Sequence, residues 1–112
     1  MCGGIKNMNV QLKRGLIDVC VLAALQDEAS YGYKIISDLN NVITLSESTL
    51  YPVLKRLESQ ECLTTYSKDF NGRLRKYYQI TNEGKKRIKS FMLEWEEMER
   101  VLHFISLKGG VC

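Results

Sequence analysis

Positively charged side chains are grouped around a predicted turn, and they are the residues of this chain best suited to bind a partner. Asn71 and Gly72 form the turn, and every charged side chain in residues 71–78 is positive. Lys55 and Arg56 add two cations near the end of a helix-like segment. Cations grouped in this way bind phosphates, so the pattern predicts contact with a nucleic acid. An ordinary solvated turn is the alternative.

Residue types that catalyse reactions or bind metals are not arranged for either role. The cysteines Cys2, Cys20, Cys62 and Cys112 form no C-x-x-C pair, and His103 is the one histidine. No metal-ligand spacing results, and no nucleophile-base arrangement, paired carboxylates or phosphate-binding glycine loop is present. We therefore expect no enzyme, no metal and no cofactor. The cysteines are expected to be free thiols, with Cys20 in the core and no basic neighbour beside Cys62.

The size and charge of the chain restrict the class of protein. The 112 residues allow one domain of ordinary size, and the net charge of +3 requires that any nucleic-acid affinity come from local clusters. No apolar run approaches the roughly 20 residues of a membrane span, and the N-terminus lacks the apolar segment of a secretory signal. We expect a cytoplasmic protein with no membrane contact.

Three helices are predicted before the turn, because apolar residues recur there every three or four positions. The predicted segments are residues 12–26, 31–40 and 46–60. Ser30 is expected to cap the second helix. Pro52 lies beyond the first turn of the third helix, so that helix must either start late, near Ser48, or bend at the proline.

A β-hairpin is predicted after the third helix. Residues 63–68 and 76–80 are rich in threonine, tyrosine and isoleucine, and Asn71-Gly72 suits the two positive-φ positions of a type I′ turn. Three helices followed by a hairpin form the pattern of a winged helix-turn-helix. The predicted fold is mainly α with a small β-hairpin.

A long final helix is predicted after the hairpin, capped by Thr81 or Asn82. Apolar side chains repeat along it with the heptad spacing of helices that pack side by side. The predicted seam consists of Ile88, Phe91, Trp95, Met98, Leu102 and Ile105. Because this apolar face is wider than one small domain can cover, we expect a homodimer, with packing onto its own domain as the alternative.

A basic run on the same helix is expected to be a solvated face rather than a DNA contact, and it consists of Lys85, Lys86, Arg87 and Lys89.

The predicted organisation is a flexible N-terminus (1–10), a winged helix-turn-helix domain (11–80), a C-terminal dimerisation helix (81–108) and a tail (109–112).

Five motifs in order resemble those of the PadR transcriptional regulators, and the resemblance covers almost the whole chain. They are Leu12-Lys13-Arg14-Gly15-Leu16, Tyr31-Gly32-Tyr33, residues 45–58, residues 72–78 and Thr81-Asn82-Glu83-Gly84. The single C-terminal helix resembles the short subclass, in which that helix forms the dimer. The resemblance implies a homodimeric repressor that binds a pseudo-palindromic operator in double-stranded DNA and is released by an effector.

The resemblance also implies a role for individual residues. Ser48, Thr49 and Tyr51 of the third helix are implied to approach base edges or nearby phosphates. Lys55 is implied to reach the backbone or a guanine. The other implied DNA contacts are Tyr31, Tyr33 and Lys34 on the second helix and Arg73, Arg75 and Lys76 on the wing.

Some positions leave alternatives open or depart from the family pattern. Tyr33 and Tyr77 could instead be core aromatics. Leu74 stands where the family commonly has proline, which predicts a less rigid wing. Glu61 stands where glycine usually ends the third helix, so a left-handed C-cap either costs about 1 kcal/mol or is replaced by another termination.

A tryptophan in the middle of the seam carries a further implication of the resemblance. In multidrug-sensing members of the subclass, a tryptophan of the dimer helix stacks planar aromatic ligands. A site for a planar hydrophobic or phenolic effector is thus implied at Trp95, Phe91 and Met92, with Glu99 or Asp18 as counter-charge. Packing in the interface is the alternative role for Trp95. For the whole chain, the alternative function is a winged-helix protein-interaction module without DNA binding.

Overall fold

The computed structural model describes residues 10–109, which form four helices and a two-stranded antiparallel sheet. In chain order the elements are α1 (Val10–Ala24), α2 (Gly32–Leu39), α3 (Glu47–Ser59), β1 (Leu63–Phe70), β2 (Arg73–Ile80) and α4 (Asn82–Gly109). This order confirms the predicted mainly α fold with a small β-hairpin. Most of the predicted flexible N-terminus, most of the predicted tail, and the terminal cysteines Cys2 and Cys112 lie outside the described residues.

The first three helices and the start of β1 enclose the hydrophobic core. The inner face of α3 consists of Leu50, Val53, Leu54 and Leu57, all buried. Other fully buried side chains are Val21, Leu22, Leu25, Ile35 and Leu63. Each large apolar side chain buried in this way contributes about 1.5–3 kcal/mol to stability. One face of α3 is therefore fixed in the core, and its opposite face is exposed.

The N-terminus of α3 is capped by a serine just before the helix. Ser46 has an extended backbone, and its Oγ accepts a hydrogen bond of 3.3 Å from the backbone N–H of Thr49. The cap satisfies a donor that has no partner inside the helix, so α3 begins at Glu47 and continues through Pro52. The alternative of a late start near Ser48 is wrong.

A glutamate in the left-handed conformation ends α3. Glu61 has a φ of 63°. The N–H of Glu61 donates to the carbonyl of Glu58 at 3.0 Å, and the N–H of Cys62 donates to that of Leu57 at 2.9 Å. This pair of bonds is a Schellman motif. Of the two predicted alternatives, α3 therefore ends with the left-handed C-cap.

The start of α2 differs from its prediction. Tyr31, not Ser30, precedes the helix, and no side-chain hydrogen bond caps it. The backbone of Ser30 instead pairs with Tyr78 of β2 through bonds of 3.0 and 2.7 Å. Because these bonds hold Ser30 beside the sheet, its hydroxyl cannot cap the helix, and the predicted cap is wrong.

The two strands are longer than predicted and pair up to the turn. The first pair after the turn is Phe70 with Arg73, and φ is 51° at Asn71 and 81° at Gly72. Positive φ at both central residues is what a type I′ turn requires. The ladder continues to the turn because a two-residue loop leaves no unpaired residues beside it.

The long helix α4 starts at Asn82, directly after Thr81, one of the two predicted caps, and extends beyond the core. Thr81 caps it, since its Oγ1 accepts a bond of 3.1 Å from the N–H of Gly84. Its first half packs against α1, whereas residues 96–109 are all exposed. Within residues 10–109, no helix is both long enough and apolar enough to cross a membrane.

Replacing Glu61 by glycine should stabilise the protein. Glycine adopts a φ near 63° without the clash of a Cβ atom. We expect Glu61→Gly to raise the free energy of unfolding by about 1 kcal/mol, measured by urea denaturation at fixed protein concentration. Glu61→Ala is the matched control, because it removes the carboxylate but keeps the Cβ and should give no such gain. Equal stability of the two variants would contradict the explanation.

Candidate nucleic-acid interface

The outer face of α3 carries the residues predicted to approach DNA. Ser48, Thr49, Tyr51 and Lys55 are all exposed, on the side of the helix away from the core. The Oγ of Ser46 lies 3.0 Å from that of Ser48 and donates to Thr49 Oγ1 at 3.1 Å. A hydroxyl-rich helix N-terminus therefore faces solvent, and the N-termini of helices favour anions.

Two predicted residues of α2, Tyr33 and Lys34, also face outward, whereas Tyr31 before the helix is half-buried. Tyr33 is 71% exposed, so its alternative role as a core aromatic is wrong. Lys34 forms an exposed ion pair with Asp38 at 2.9 Å. This hydrogen bond and the charge of Asp38 raise the pKa of Lys34 above its ordinary value, which keeps the side chain cationic.

A groove of about 550 Å³ lies between α2, α3 and the hairpin. It brings together residues predicted separately for the interface: Tyr31, Tyr33, Tyr51, Arg73, Arg75 and Lys76. Gly32 leaves room for the ring of Tyr51 here, because a Cβ at that position would overlap the Tyr51 hydroxyl. Ser48 and Thr49 line a different groove, between α3 and α1. Lys34 and Lys55 lie on the surfaces of α2 and α3, outside the lining of either groove.

One wing arginine is held between two aromatic rings. The guanidinium carbon of Arg75 lies 4.1 Å from the ring centre of Tyr31 and 4.0 Å from that of Phe70. The directly opposite neighbour of Arg75 on β1 is the like-charged Lys68. By stacking on both rings, Arg75 joins the wing to the start of α2, whereas Arg73 is exposed.

Phe70 is a residue of this site that the sequence analysis missed. It is a half-exposed phenylalanine at the last position before the turn. An apolar ring beside a run of cations was the available signal. Its use as a stacking surface depends on the direction in which Arg75 turns, and sequence spacing does not give that direction.

The other aromatics of the hairpin form a stack on the same sheet. The ring of Tyr77 lies parallel to that of Tyr66 and edge-on to that of Tyr31, with both centre distances 5.5 Å. Tyr77 is thus half-buried within this surface stack and does not enter the core cluster. Tyr78 is buried, and burial raises the pKa of its hydroxyl above the ordinary value, so it stays neutral.

Three residues given other roles by the sequence analysis meet at a buried carboxylate. Asp18 of α1 is only 3% exposed at its side chain and accepts hydrogen bonds from Arg56 of α3 and Arg87 of α4. Asp18 is therefore unsuited to be the counter-charge of an effector, and Arg87 does not belong to a solvated basic face. Arg87 Nη1 also lies 3.9 Å from the Sγ of Cys62, so the expectation of no basic neighbour there is wrong.

The two described cysteines are free thiols, as predicted. Cys20 packs against the core from a half-buried position, and burial raises the pKa of its thiol. Cys62 is buried within the core cluster. Neither thiol faces the groove between α2, α3 and the hairpin.

The predicted seam of α4 is only partly covered. Ile88, Phe91 and Trp95 are half-buried against the rest of the chain, and the rings of Phe91 and Trp95 stack with centres 6.3 Å apart. Farther along, the exposed fractions are 48% for Met98, 49% for Leu102 and 49% for Ile105. Met92 and Glu99 are also exposed. Packing of α4 onto its own domain therefore accounts for the first half of the seam only.

Removing the ring of Phe70 should loosen the wing. A cation–π contact at an exposed site is worth about 0.5–1 kcal/mol, so Phe70→Leu is expected to raise the open population of the hairpin up to about fivefold. Limited trypsin digestion followed by mass spectrometry should then show faster cleavage after Arg73, Arg75 and Lys76. Leu74→Ala is the control, because Leu74 is 79% exposed at the same wing. Equal cleavage rates in the two variants would rule out the clamp.

Comparison with known proteins assigns the chain to a family. The model of the "Transcriptional regulator PadR-like family" matches residues 21–90. An uncharacterized protein of Lysinibacillus sphaericus is 35% identical over 94 residues, covering 80% of this chain and 86% of that protein. The crystal structure of a PadR family transcription regulator from Clostridium difficile R20291 has a TM-score of 0.72 and 33% identity, covering 80% of this chain and 96% of the other.

A second solved structure gives the same result. The PadR family transcriptional regulator of Eggerthella lenta DSM 2243 has a TM-score of 0.76 and 30% identity, covering 86% of each chain. The winged-helix architecture and the single long C-terminal helix agree with this family, whose members are transcriptional regulators and not enzymes. The chain therefore belongs to the PadR family of transcriptional regulators.

Proposed function

We propose that the protein is a repressor that binds a pseudo-palindromic operator in double-stranded DNA as a homodimer. The main support is the surface on which the exposed face of α3, the start of α2 and the basic wing lie beside one another. In a winged helix-turn-helix these elements contact the major groove and the flanking backbone. A regulator that acts on chromosomal DNA works in the cytoplasm, which is the location we propose.

The residues divide into two kinds of contact. Ser48, Thr49 and Tyr51 are short or planar polar side chains suited to base edges and nearby phosphates, and Lys55 suits a phosphate or a guanine. The remaining residues, proposed to contact the backbone, are Tyr31, Tyr33, Lys34, Arg73 and Lys76. Arg75 is proposed to act differently, by holding the wing against Tyr31.

The proposed dimer interface is the seam of α4. Residues 96–109 are all exposed, although Val101, Leu102, Phe104 and Ile105 are apolar. A second copy of the same helix would cover them. A two-fold dimer then presents two α3 helices to half-sites one helical turn, about 34 Å, apart.

An effector site is proposed beside Trp95. Phe91 and Trp95 already stack, and Met92 provides a flexible apolar wall. Glu99, one turn beyond Trp95, is the remaining counter-charge for a hydrophobic cation, because Asp18 is engaged by two arginines. A ligand at this point would change how the two α4 helices pack and so the separation of the α3 helices.

Lys55→Ala should weaken binding to the operator. We expect a loss of about 1–3 kcal/mol for the duplex upstream of the protein's own gene, because a charged contact in the groove is removed. Fluorescence anisotropy against a scrambled duplex at two salt concentrations measures this loss. Lys89→Ala, which removes the same charge from α4, is the control.

The outcomes of this titration separate the candidate functions. Tight binding that prefers the upstream duplex and weakens steeply with salt supports a local repressor. Equal effects of Lys55→Ala and Lys89→Ala would refute the proposal that α3 enters the major groove of DNA. Absence of DNA binding by the wild-type protein would favour a winged-helix protein-interaction module instead.

Planar dyes should quench the fluorescence of Trp95. Because the chain has one tryptophan, all of its tryptophan fluorescence comes from the proposed effector site. We expect saturable quenching by a planar aromatic cation and loss of saturation in Glu99→Gln, whose side chain has the same size without the charge. Light scattering must first show that each protein is a dimer. A dimer without saturable quenching would limit Trp95 to packing in the interface.

A further inference from the structure

The buried carboxylate of Asp18 joins α1, α3 and α4. A dimeric protein that binds DNA through α3 must keep these helices in a fixed relation. We propose that Asp18 is a positioning residue that sets the distance between the two α3 helices of the dimer, by holding α3 and α4 to α1 through Arg56 and Arg87. This inference rests on the proposed function. It adds a residue that neither lies on the proposed DNA surface nor belongs to the predicted seam.

The two oxygens of Asp18 are used by different helices. Oδ1 accepts from Arg56 Nη2 of α3, and Oδ2 accepts from Arg87 Nη2 of α4 at 3.0 Å. The carboxylate is 3% exposed, whereas the arginine side chains are 32% and 35% exposed. Charge-assisted bonds in a site so poorly solvated are stronger and more directional than surface ion pairs.

Arg87 makes a second connection to α3. Its Nη1 donates to the Oε1 of Gln60, the C-cap residue that directly follows α3. Arg56 and Gln60 are four residues apart and therefore lie on the same side of the helix. Arg56 is thus bonded to Asp18 and Gln60 to Arg87, and these two partners are bonded to each other, which restrains both the position and the rotation of α3.

Apolar contacts alone would not fix α4 relative to α1 and α3 in this way. The hydrophobic effect is non-directional, so an α1–α4 contact made only of apolar side chains tolerates small sliding movements. Hydrogen bonds with fixed donor and acceptor directions do not tolerate them. The junction of Asp18, Arg56, Gln60 and Arg87 therefore makes α3 follow the movement of α4.

In the proposed dimer this coupling has a geometric consequence. The α4 helices form the interface, so the relation of α3 to α4 within each chain determines the separation of the two α3 helices. A protein with a rigid junction should discriminate strongly between half-site spacings. A protein with a loosened junction should accept several spacings.

The test measures spacing selectivity rather than affinity alone. The probe is a duplex selected from a random pool by the wild-type protein, together with versions that have one base pair inserted or removed between the half-sites. Arg87→Met keeps an unbranched, flexible side chain but removes the guanidinium, and it leaves the Asp18–Arg56 pair in place. Asp18→Asn removes the charge at the centre of the junction, and Lys89→Met on the exposed side of α4 is the control.

We expect the wild type and Lys89→Met to bind the altered spacings about tenfold more weakly than the selected one, a penalty similar to that of a mismatched base pair. Arg87→Met and Asp18→Asn should reduce this difference to about threefold or less, because the α3 helices can then adjust to each half-site. Circular dichroism and light scattering establish which variants are folded dimers.

Two results would overturn the inference while leaving the proposed function intact. In one, a folded, dimeric Arg87→Met protein keeps the wild-type discrimination between spacings. In the other, it loses the same factor of affinity for all three duplexes, as expected of a purely structural residue. If Asp18→Asn does not fold, Arg87→Met decides alone. A wild-type protein that selects no duplex would contradict the proposed function itself, and this inference with it.

Discussion

The packing of α3 against the core is the constraint on which the rest of the structure depends. Leu50, Leu54 and Leu57 are fully buried, so the helix can neither rotate nor move outward without opening the core. Its opposite face must therefore be exposed. The polar side chains on that face are held in a fixed relation to α2 and to the hairpin because all three elements pack around the same core.

Electrostatic contacts fix relative positions of elements that the apolar core does not determine. Near the C-terminal end of α3, two arginines compensate the buried charge of Asp18 and connect α1, α3 and α4. At the wing, Arg75 lies between Phe70 and Tyr31 and connects the hairpin to α2. In both places arginines that could be taken for surface cations instead set the relative positions of neighbouring elements. Arginine suits this role because its planar group both stacks on rings and donates several directed hydrogen bonds.

The elements could be predicted from the sequence because their signals are local. The periodicity of α3, the Asn71-Gly72 turn and the cap at Thr81 each depend on residues a few positions apart, and all three are present in the structure. The resemblance to the family pointed to residues on α2, α3 and the wing as the DNA contacts. Tyr31, Tyr51 and the wing cations do line one groove, although their contacts with DNA stay predictions.

Contacts between distant residues could not be predicted in this way. Asp18 and Arg87 are 69 positions apart, and no periodic pattern relates them. The pairing of Ser30 with Tyr78 likewise overrides a capping preference that holds only when the serine is free. The role of Phe70 required both the strand register and the direction of the Arg75 side chain. Each of these features depends on tertiary packing.

The most direct test of the account is a map of the protein surface that contacts DNA. Amide chemical shifts of the ¹⁵N-labelled dimer should be measured as a duplex selected from a random pool is added. The account predicts the largest changes at the start of α2, along the first half of α3 and at the wing, with small changes in residues 96–109. Changes concentrated in residues 96–109, with α3 and the wing unaffected, would contradict it.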